Sequence, residues 1–525
     1  MKSIVAASLG ALLLGSAPLI ARPVLAQVTP VVRYLETPAG EKPRVVVTAD
    51  PELDDSNSLV RYLLHSADYR TEGLIYASSK YHWKGDGQGT TQFIPGREYT
   101  ARGLTLCPCT SWRWGEREQF IDDAVARYRE VYENLAVHDP GYPTPETLQS
   151  KIRWGNVDFD GEMSKDTPGS DLIKSLLLDD EDSPVYLLAW GGQSTIARAL
   201  KSIEDEYKAT PQWPAIRARV IAKAIIHPSG DQDDTYATYI RPSWPEIRYG
   251  SGGGSRAAIA FNAADLASPE DAVYFSAAWM RENVSNKGPM GEFYRVWGDG
   301  KQMAKGDILD PFGFADKTEQ DMVAMGYQMW TPLREKGSFT GEGDTGTFMS
   351  LLDDGLEGYR VENRPAPVAP PVPTPGAAPA PVMSLPPWPR SLPTRRPTNP
   401  FLAPLQHDLA ARLSWSVTPL YEDANHPPQI TLDALRVSAR PGRTVSLSAT
   451  ARDPDGDAVS IRWWRFEGLG SYVGAVSLVE AEGSITHIRV PADAKPGDTF
   501  HIVAEATDAG APSLTRYVQA IVTVR

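Results

Sequence analysis

Apolar residues before residue 360 fall into two kinds of run. Continuous apolar runs, such as "RVVVTA" (44–49) and "SPVYLLAWGG" (183–192), predict buried strands. Runs with an apolar residue every three or four positions, such as "SNSLVRYLLHSA" (56–67) and "STIARALKSIEDEY" (194–207), predict amphipathic helices. Because such strands and helices alternate, the sequence predicts an α/β domain with a mostly parallel sheet covered by helices on both faces.

Further segments extend the same alternation. "TEGLIYASS" (71–79) and "RVIAKAIIH" (219–227) predict two more strands of the sheet. "REQFIDDAVARYREVYENL" (117–135) predicts a longer helix, and "DTPGSDLI" (166–173) predicts a capped helix start.

The pattern changes after residue 400. "LQHDLAARLSWS" (405–416) predicts one helix that docks the two parts, and short runs with a period of two follow it, separated by turns such as "DPDGD". This pattern predicts an all-β, immunoglobulin-like sandwich. The proline-rich stretch between the two patterns predicts a spacer or insert with extended geometry. The predicted units are a signal peptide at 1–26, an α/β domain at 43–362, a proline-rich linker or insert at 363–400 and a C-terminal sandwich domain at 401–525.

The start of the chain indicates export. Lys2 precedes an apolar run from about residue 4 to residue 20, and small residues end the segment near Ala26. This predicts a signal peptide cleaved near Ala26 and a secreted or periplasmic protein. We expect no membrane partner, because no later run approaches the roughly 20 apolar residues of a spanning helix.

Charge and cysteine content narrow the function further. The formal net charge of −14 disfavours binding to a nucleic acid polymer, which requires a basic surface. It suits a neutral sugar or a cation.

The two cysteines, Cys107 and Cys109, flank one proline, and we expect so small a disulfide ring to be strained. The sequence therefore predicts an incidental or weakly redox-active pair.

The stretch "TADPELDD" (48–55) places four acids where the first predicted strand passes into the first helix. A helix N-terminus favours one or two acids through capping and the helix dipole, but not this many. Ligands of open parallel sheets bind at the carboxyl ends of the strands. Because Ca²⁺ prefers carboxylate and carbonyl oxygens, the crowding predicts a calcium site at this edge of the sheet.

"TADPELDD" resembles the "DTDPGxDD" fingerprint of the nucleoside hydrolases, Ca²⁺-dependent α/β enzymes that cut the N-glycosidic bond of ribosides. "WGGQSTIARAL" (190–200) and "GEGDTGTF" (341–348) resemble two further motifs of these enzymes. Together with "HWKGDGQG" (82–89) and "HPSGDQDD" (227–234), they resemble the exported nucleoside hydrolase-like family that is often described as cellulose-binding. That family pairs this domain with a C-terminal β-sandwich.

The resemblance implies a set of roles. Calcium would be held by Asp50, Asp55, Asp344 and the backbone carbonyl of Ser194, while Asp50 also activates a water molecule and Asp54 holds a sugar hydroxyl. The sequence departs from the fingerprint at three places. Thr48 replaces its first aspartate, Glu52 replaces its glycine, and Gly343 stands where the hydrolases often carry a histidine that assists the leaving base.

Several other side chains follow predicted strand ends and are candidates for the same site. Glu342 is a candidate general acid if calcium and burial separate its pKa from that of Asp344, although a surface loop acid explains it equally well. The candidates for substrate binding, each with a capping, turn or packing role as the alternative, are His82, Trp83, Asp231, Gln232 and Asp233.

Two functions follow from these features. The first is a secreted, calcium-dependent hydrolase of N-glycosyl or saccharide bonds. The second is a non-catalytic protein that binds cellulose or another polysaccharide on the same fold. A flat row of exposed tryptophans would favour binding, whereas a deep acidic pocket would favour catalysis. An adhesive surface protein ranks last, because that function leaves the acidic stretch unexplained.

Overall fold

The computed structural model describes residues 33–250, 259–356 and 396–525. The predicted signal peptide at 1–26 and residues 363–395 of the predicted linker lie outside these ranges. Within them, the N-terminal part is an α/β domain and the C-terminal part consists of β-sheets. The predicted fold class is confirmed.

Six parallel strands form the central sheet of the α/β domain. In chain order they are β1 (Arg44–Ala49), β2 (Arg70–Tyr76), β3 (Ile152–Trp154), β4 (Val185–Ala189), β5 (Ala224–Pro228) and β6 (Arg248–Tyr249). Their order across the sheet is β3-β2-β1-β4-β5-β6, so the chain reverses direction across the sheet between β3 and β4. All six residues of β1 are buried, as expected for a central strand.

Helices cover both faces of the sheet, and those between residues 53 and 243 connect its strands. They are α1 (Leu53–Leu64), α2 (Phe120–His138), α3 (Pro145–Gln149), α4 (Pro168–Leu178), α5 (Ser194–Tyr207), α6 (Trp213–Lys223), α7 (Arg241–Ser243), α8 (Ala263–Leu266), α9 (Ala277–Met280), α10 (Gly288–Phe293), α11 (Glu319–Ala324) and α12 (Leu402–Trp415). One apolar core contains side chains of α1, α2 and α12, and the other those of α4, α5 and α6. In the described ranges, no helix combines the length and apolar character required to cross a membrane.

Local sequence accounts for helix starts and for one wrong prediction. The side chains of Thr167 and Ser170 cap α4 reciprocally, as "DTPGSDLI" predicts. The strand predicted over "RVIAKAIIH" is wrong in its first half, because residues 219–223 are the last turns of α6 and only the following residues form β5. Its continuous apolar character fits a buried strand and one buried helix face equally well.

Two four-stranded sheets form the C-terminal part. Their strands are β7 (Gln429–Leu432), β8 (Arg436–Ala439), β9 (Thr444–Arg452), β10 (Val459–Arg465), β11 (Ser477–Leu478), β12 (Ile485–Arg489), β13 (Thr499–Asp508) and β14 (Thr515–Val524). The strand orders are β10-β13-β14-β8 and β11-β12-β9-β7. Strands β14 and β8 pair in parallel and the other neighbours pair antiparallel. Trp463 is in the core of this sandwich, whereas Trp464 on the opposite face is half-buried.

Helix α12 belongs to the core of the α/β domain. Leu405, Leu409 and Leu413 on this helix pack in the same apolar cluster as Val60 and Leu64 of α1. The sandwich strands begin at β7, after this helix, and the domain boundary at residue 401 stays a prediction. The chain re-enters the α/β domain after the proline-rich segment before it forms the sandwich.

A histidine pair joins α2 to the sandwich. His138 Nδ1 at the end of α2 lies 2.9 Å from His426 Nε2, and His426 Nδ1 lies 3.0 Å from Asp455 Oδ1 in the β9–β10 turn. Asp453 accepts hydrogen bonds from two backbone amides of the same turn, so the predicted turn role of "DPDGD" is confirmed. His426 belongs to the segment "EDANHPP" (422–428), so this segment takes part in the junction.

The two cysteines are paired in the structure, an outcome that the sequence left open. Cys107 and Cys109 form a disulfide in the structure. Their Cα atoms are 4.6 Å apart, within the range that disulfides adopt, so the short ring is accommodated. Cys107 is buried against Trp83, Tyr99 and Trp112 in a small aromatic cluster.

The position of α12 gives a test of the domain assignment. We expect Leu409→Ala to destabilise the α/β domain by about 2–5 kcal/mol, because it removes a buried side chain and leaves a cavity. Leu420→Ala is the matched control, since Leu420 is 51% exposed whereas Leu409 is 1% exposed. Calorimetric unfolding of the full chain checks this. Equal midpoints for both variants would contradict the placement of α12 in the core.

Candidate functional site

The acidic stretch folds as a tight turn at the carboxyl end of the central strand. Asp50 directly follows β1, Glu52 occupies the N-cap position of α1, and Asp54 and Asp55 lie in its first turn. A ring nitrogen of His82 and carboxylate oxygens of Asp50 and Glu52 lie within 4.8 Å of one another. Carboxylate oxygens of Glu52, Asp54 and Asp55 meet the same distance. The structure therefore brings the predicted acids together at the sheet edge where ligands bind.

The environment of Asp50 fixes one oxygen and leaves the other without a protein donor. Its Oδ2 accepts a 2.5 Å hydrogen bond from Ser79 Oγ and lies 3.0 Å from His82 Nδ1. The lone pairs of Ser79 Oγ accept from the amides of Tyr81 and His82, so its single proton points to Asp50. Asp50 Oδ1 is buried and has no hydrogen-bond partner in the described structure.

Asp344 reaches this cluster from the far end of the α/β domain. It lies in a short 3₁₀ turn, Gly343–Thr347, where the amide of Thr345 donates to Ser58 Oγ on α1 at 3.1 Å. Asp344 Oδ2 and Asp54 Oδ1 are also buried without a described hydrogen-bond partner. Three carboxylates thus each direct one unpaired oxygen into the protein interior, which leaves those oxygens free for a cation.

Burial and mutual repulsion disfavour the charged state of these acids. Burial is the main cause that raises the pKa of Asp54, Asp55 and Asp344 well above their usual range. The negative charges of neighbouring members of the cluster, Asp50 among them, raise the same pKa values further. A bound cation would reverse this balance, because its charge favours the ionised carboxylates.

Two glycines allow the backbone to approach the acids closely. A Cβ atom on Gly191 would lie 2.7 Å from Asp50 Oδ1, and one on Gly343 would clash with Asp54 Oδ2. Any other residue at either position would displace a carboxylate oxygen. The site therefore offers carboxylate oxygens around a space that these glycines leave open. This set of donors fits a hard cation such as calcium.

Ser194 lies beside this acidic site, at the N-terminus of α5. Its amide donates to Asp233 Oδ2 at 2.8 Å, and its hydroxyl is buried with no described hydrogen-bond partner. Its role as a carbonyl ligand stays a prediction.

Glu342 lies in a buried ion pair with Arg61, and its role as a general acid stays a prediction. Its carboxylate is fully buried and accepts two hydrogen bonds from Arg61, at 2.5 Å from Nε and 3.0 Å from Nη2. Tyr294 OH and Thr345 Oγ1 donate to the same carboxylate. Four hydrogen bonds from protein donors therefore engage this carboxylate, and its side chain is not exposed.

Trp83 also differs from its predicted role. Its side chain is fully buried and packs against Phe159, with ring centroids 5.5 Å apart, so it cannot stack on a sugar ring. His82 is nearly fully buried as well, but its contact with Asp50 keeps it at the site. The residue after β2 that contributes to the site is therefore the histidine and not the tryptophan.

The loop after β5 approaches the site, but its acids bind the protein's own backbone. Asp231 accepts from the amides of Tyr236 and Ala237, and burial raises its pKa to about 6. Asp233 accepts from Ser194 and from both the amide and the hydroxyl of Thr235. Beside these contacts with the protein, the roles of Asp231 and Asp233 in substrate binding stay predictions.

Gln232 keeps a free acceptor for a ligand. Its Nε2 donates to the carbonyl of Trp190 at 2.6 Å and its Oε1 is buried without a described partner.

Sequence reasoning missed Ser79, Gly191 and Arg61. Ser79 stands in "YASSK", directly after β2, and its hydroxyl donates to Asp50. The double glycine in "LAWGGQS" is a visible signal of close backbone approach, since Gly191 adjoins Asp50. Arg61 has no local signal, because its partner Glu342 is 281 residues away.

The fold and the acidic cluster at the end of β1 define a nucleoside hydrolase-like α/β protein. The chain belongs to the family described as "Cellulose-binding Sde182, nucleoside hydrolase-like domain", which matches residues 44–365. The family described as "Cellulose-binding protein Sde0182, C-terminal domain" matches residues 444–524.

Among solved structures, the chain is similar to a nucleoside hydrolase-related hypothetical protein from Saccharophagus degradans, described as associated with carbohydrate metabolism. The sequence identity is 22%, the TM-score is 0.61, and the match covers 92% of this chain and 100% of that one. Two other matches cover 19% of this chain each. One is a chain of a structure described as "Structural basis of T cell specificity and activation by the bacterial superantigen toxic shock syndrome toxin-1", with 14% identity, 99% of that chain covered and a TM-score of 0.15. The other is titin domain M4, with 17% identity, 98% of that chain covered and a TM-score of 0.13. No curated protein matches the chain.

A buried histidine beside the site predicts how stability depends on pH. His227 Nδ1 lies 2.7 Å from the carbonyl of Thr347, so this nitrogen carries the proton, and Nε2 is buried without a described partner. Burial is the main cause that lowers the pKa of His227 to about 4. The unfolded chain, with a pKa near 6.5, therefore binds this proton more readily than the folded one. Stability falls as the pH drops from about 6.5 towards 4.

Between pH 7 and pH 5 we expect a loss of about 2 kcal/mol from this group. Urea unfolding of wild type and His227→Gln at both pH values checks this, and the variant should lose that part of the pH dependence. His487→Gln is the control, since the His487 side chain is 44% exposed. The same pH dependence in wild type and His227→Gln would contradict the assignment.

Proposed function

We propose that this protein is an exported, calcium-dependent hydrolase of glycosyl bonds that acts on a carbohydrate or nucleoside-like ligand. The observation that carries the proposal is the set of buried, unpaired carboxylate oxygens of Asp50, Asp54 and Asp344 at the carboxyl end of the sheet. Asp55 adds a fourth carboxylate, and the carbonyl of Ser194 a further candidate ligand. Such a set is costly in a folded protein unless a cation or a substrate engages it.

A calcium ion bound here would supply the positive charge that the carboxylates require and would acidify a nearby water molecule. The chain's own residues then determine the direction of proton transfer. Ser79 and His82 hold Asp50 Oδ2, so Oδ1 is the oxygen that can take the proton from the attacking water. That water adds its oxygen to the anomeric carbon while the bond to the leaving group breaks.

The other acids act on the substrate. Asp54 and Glu52 are the least buried members of the cluster, so the ligand approaches from their side. Asp54 Oδ1 lacks a protein donor and is placed to accept a hydrogen bond from a sugar hydroxyl. The negative charges beside the anomeric carbon stabilise the oxocarbenium-like transition state of glycosyl transfer to water. Gln232 Oε1 is a further acceptor for a hydroxyl.

A carbohydrate is the ligand class that the comparisons support. Both matching families are described as cellulose-binding, and the Saccharophagus degradans protein is described as associated with carbohydrate metabolism. The acidic net charge agrees with a neutral sugar as ligand and disfavours a polyanion.

A non-catalytic polysaccharide-binding protein is the second candidate. The observation that favours it is the ion pair of Glu342 with Arg61, which removes from catalysis a carboxyl that could have protonated the leaving group. In the described ranges, every tryptophan is buried or half-buried, so binding of a sugar chain there would not use a flat row of exposed tryptophans.

The proposal predicts calcium-dependent sugar release from a panel of nucleosides and plant oligosaccharides. We expect chelation of calcium to abolish release, and Asp50→Asn to reduce the rate by about 10²-fold or more, because it removes the proton acceptor. Asp316→Asn is the control, since Asp316 is exposed and far from these contacts. Retained binding to insoluble cellulose without release from any substrate would contradict catalysis and support the second candidate.

Export is part of the proposal. We expect the mature protein to begin near residue 27, after cleavage of the signal peptide. Mass spectrometry of the protein recovered from the periplasm or medium of an expressing bacterium checks this. A product that retains Met1 in the cytoplasm would contradict export.

A further inference from the structure

Arg61 is a fully buried arginine that contacts three parts of the chain. It lies on α1, two turns after Asp54 and Asp55. Its Nε and Nη2 donate to the two oxygens of Glu342, and its Nη1 donates to the carbonyl of Leu405 at 3.0 Å. Its Nη2 also donates to Gln406 Oε1 at 2.6 Å. One guanidinium therefore joins α1, the turn that carries Asp344, and α12.

The ion pair links the two chain segments that carry the acids of the cluster. Asp54 and Asp55 belong to the same helix as Arg61, while Asp344 lies two residues after Glu342. Neutral hydrogen bonds run beside the ion pair, from Asn57 Nδ2 to the carbonyl of Gly341 and from the amide of Thr345 to Ser58. The ion pair adds a bidentate link of fixed geometry, which neutral single bonds do not provide.

Helix α12 extends this arrangement to the C-terminal part. Beside the contacts of Leu405 and Gln406 with Arg61, Asp408 lies 2.8 Å from His65 Nε2, and Arg412 Nη2 donates to Asp68 at 3.1 Å. Arg516 of the sandwich donates to Asp408 Oδ1 at 3.0 Å. Polar contacts therefore run from the sandwich through α12 to α1 and to the residues that follow it.

We propose that Arg61 is a positioning residue that sets the spacing between Asp54, Asp55 and Asp344, and that cation binding at the acidic cluster depends on α12 through it. The inference rests on the proposed cation site. Arg61 does not touch the cation; it fixes the two elements that carry the ligands. Arg61 in turn is held by α12, a helix that follows the proline-rich segment in the chain.

A purely structural arginine offers a matched control. Arg44 is also buried and pairs with Glu72 and Asp179, but it begins β1, at the opposite end of the strand from Asp50. Arg44→Lys and Arg61→Lys remove the same guanidinium geometry and keep the charge. Both variants lose stability, but only the second alters the spacing of the acids.

The test is calorimetric titration of chelator-treated, full-length protein with calcium chloride. We expect Arg61→Lys to weaken calcium affinity by about 10- to 100-fold, the usual effect of a residue that orients ligands without binding the ion. We expect Arg44→Lys to stay within about twofold of wild type. Circular dichroism at the titration temperature verifies that each variant is folded.

Two milder variants keep the test decisive if Arg61→Lys does not fold. Gln406→Ala removes one acceptor of Arg61, and Tyr294→Phe removes one donor to Glu342, while the ion pair itself remains. Weaker calcium binding in either supports the inference. Wild-type affinity in all folded variants would overturn it and leave the cation site intact. No calcium binding by wild type would overturn the cation site as well, so the two failures are distinguishable.

Discussion

The structure around the central strand depends on one constraint: several carboxylates must be buried side by side at the end of β1. Their mutual repulsion and loss of hydration disfavour this arrangement, and no protein cation lies among the contacts described for their free oxygens. Neutral groups around the cluster offset part of this cost. Ser79 donates to Asp50, the absent side chains of Gly191 and Gly343 make room, and the N-terminus of α1 contributes its dipole.

The buried arginine on α1 pairs with an acid outside the cluster. Arg61 neutralises Glu342 and leaves Asp344, two residues later, without such a partner. This division separates a structural acid from acids that remain free for a ligand. It also explains why α12 packs in the α/β core, because Arg61 requires acceptors for its remaining N–H groups and finds them on Leu405 and Gln406. The C-terminal part is therefore joined to the site by hydrogen bonds as well as by apolar packing.

The parts of this structure that depend on local sequence could be predicted. The buried runs that form β1 and β4, the capped start of α4 and the acidic turn are all visible as residue patterns, and the resemblance of "TADPELDD" identified the family. The differences concern side chains whose surroundings are formed by residues far away in sequence. Glu342 looked like a free loop acid because Arg61 is far away in sequence, and Trp83 looked available for a sugar because nothing local shows that Phe159 covers it.

Two of the departures from the nucleoside hydrolase fingerprint lie at the junction of β1 and α1. Thr48 removes one acid from a position that is fully buried in β1, and Glu52 adds one at the half-exposed N-cap of α1. The number of acids in the stretch is thus kept, but one carboxyl stands at the half-exposed N-cap of α1 and not inside β1. A carboxyl at position 52 can accept hydrogen bonds from hydroxyl groups on the more exposed side of the cluster, where a glycine side chain could not. This departure from the fingerprint therefore adds a polar contact on that side, and the proposed carbohydrate ligand would supply the hydroxyl groups for it.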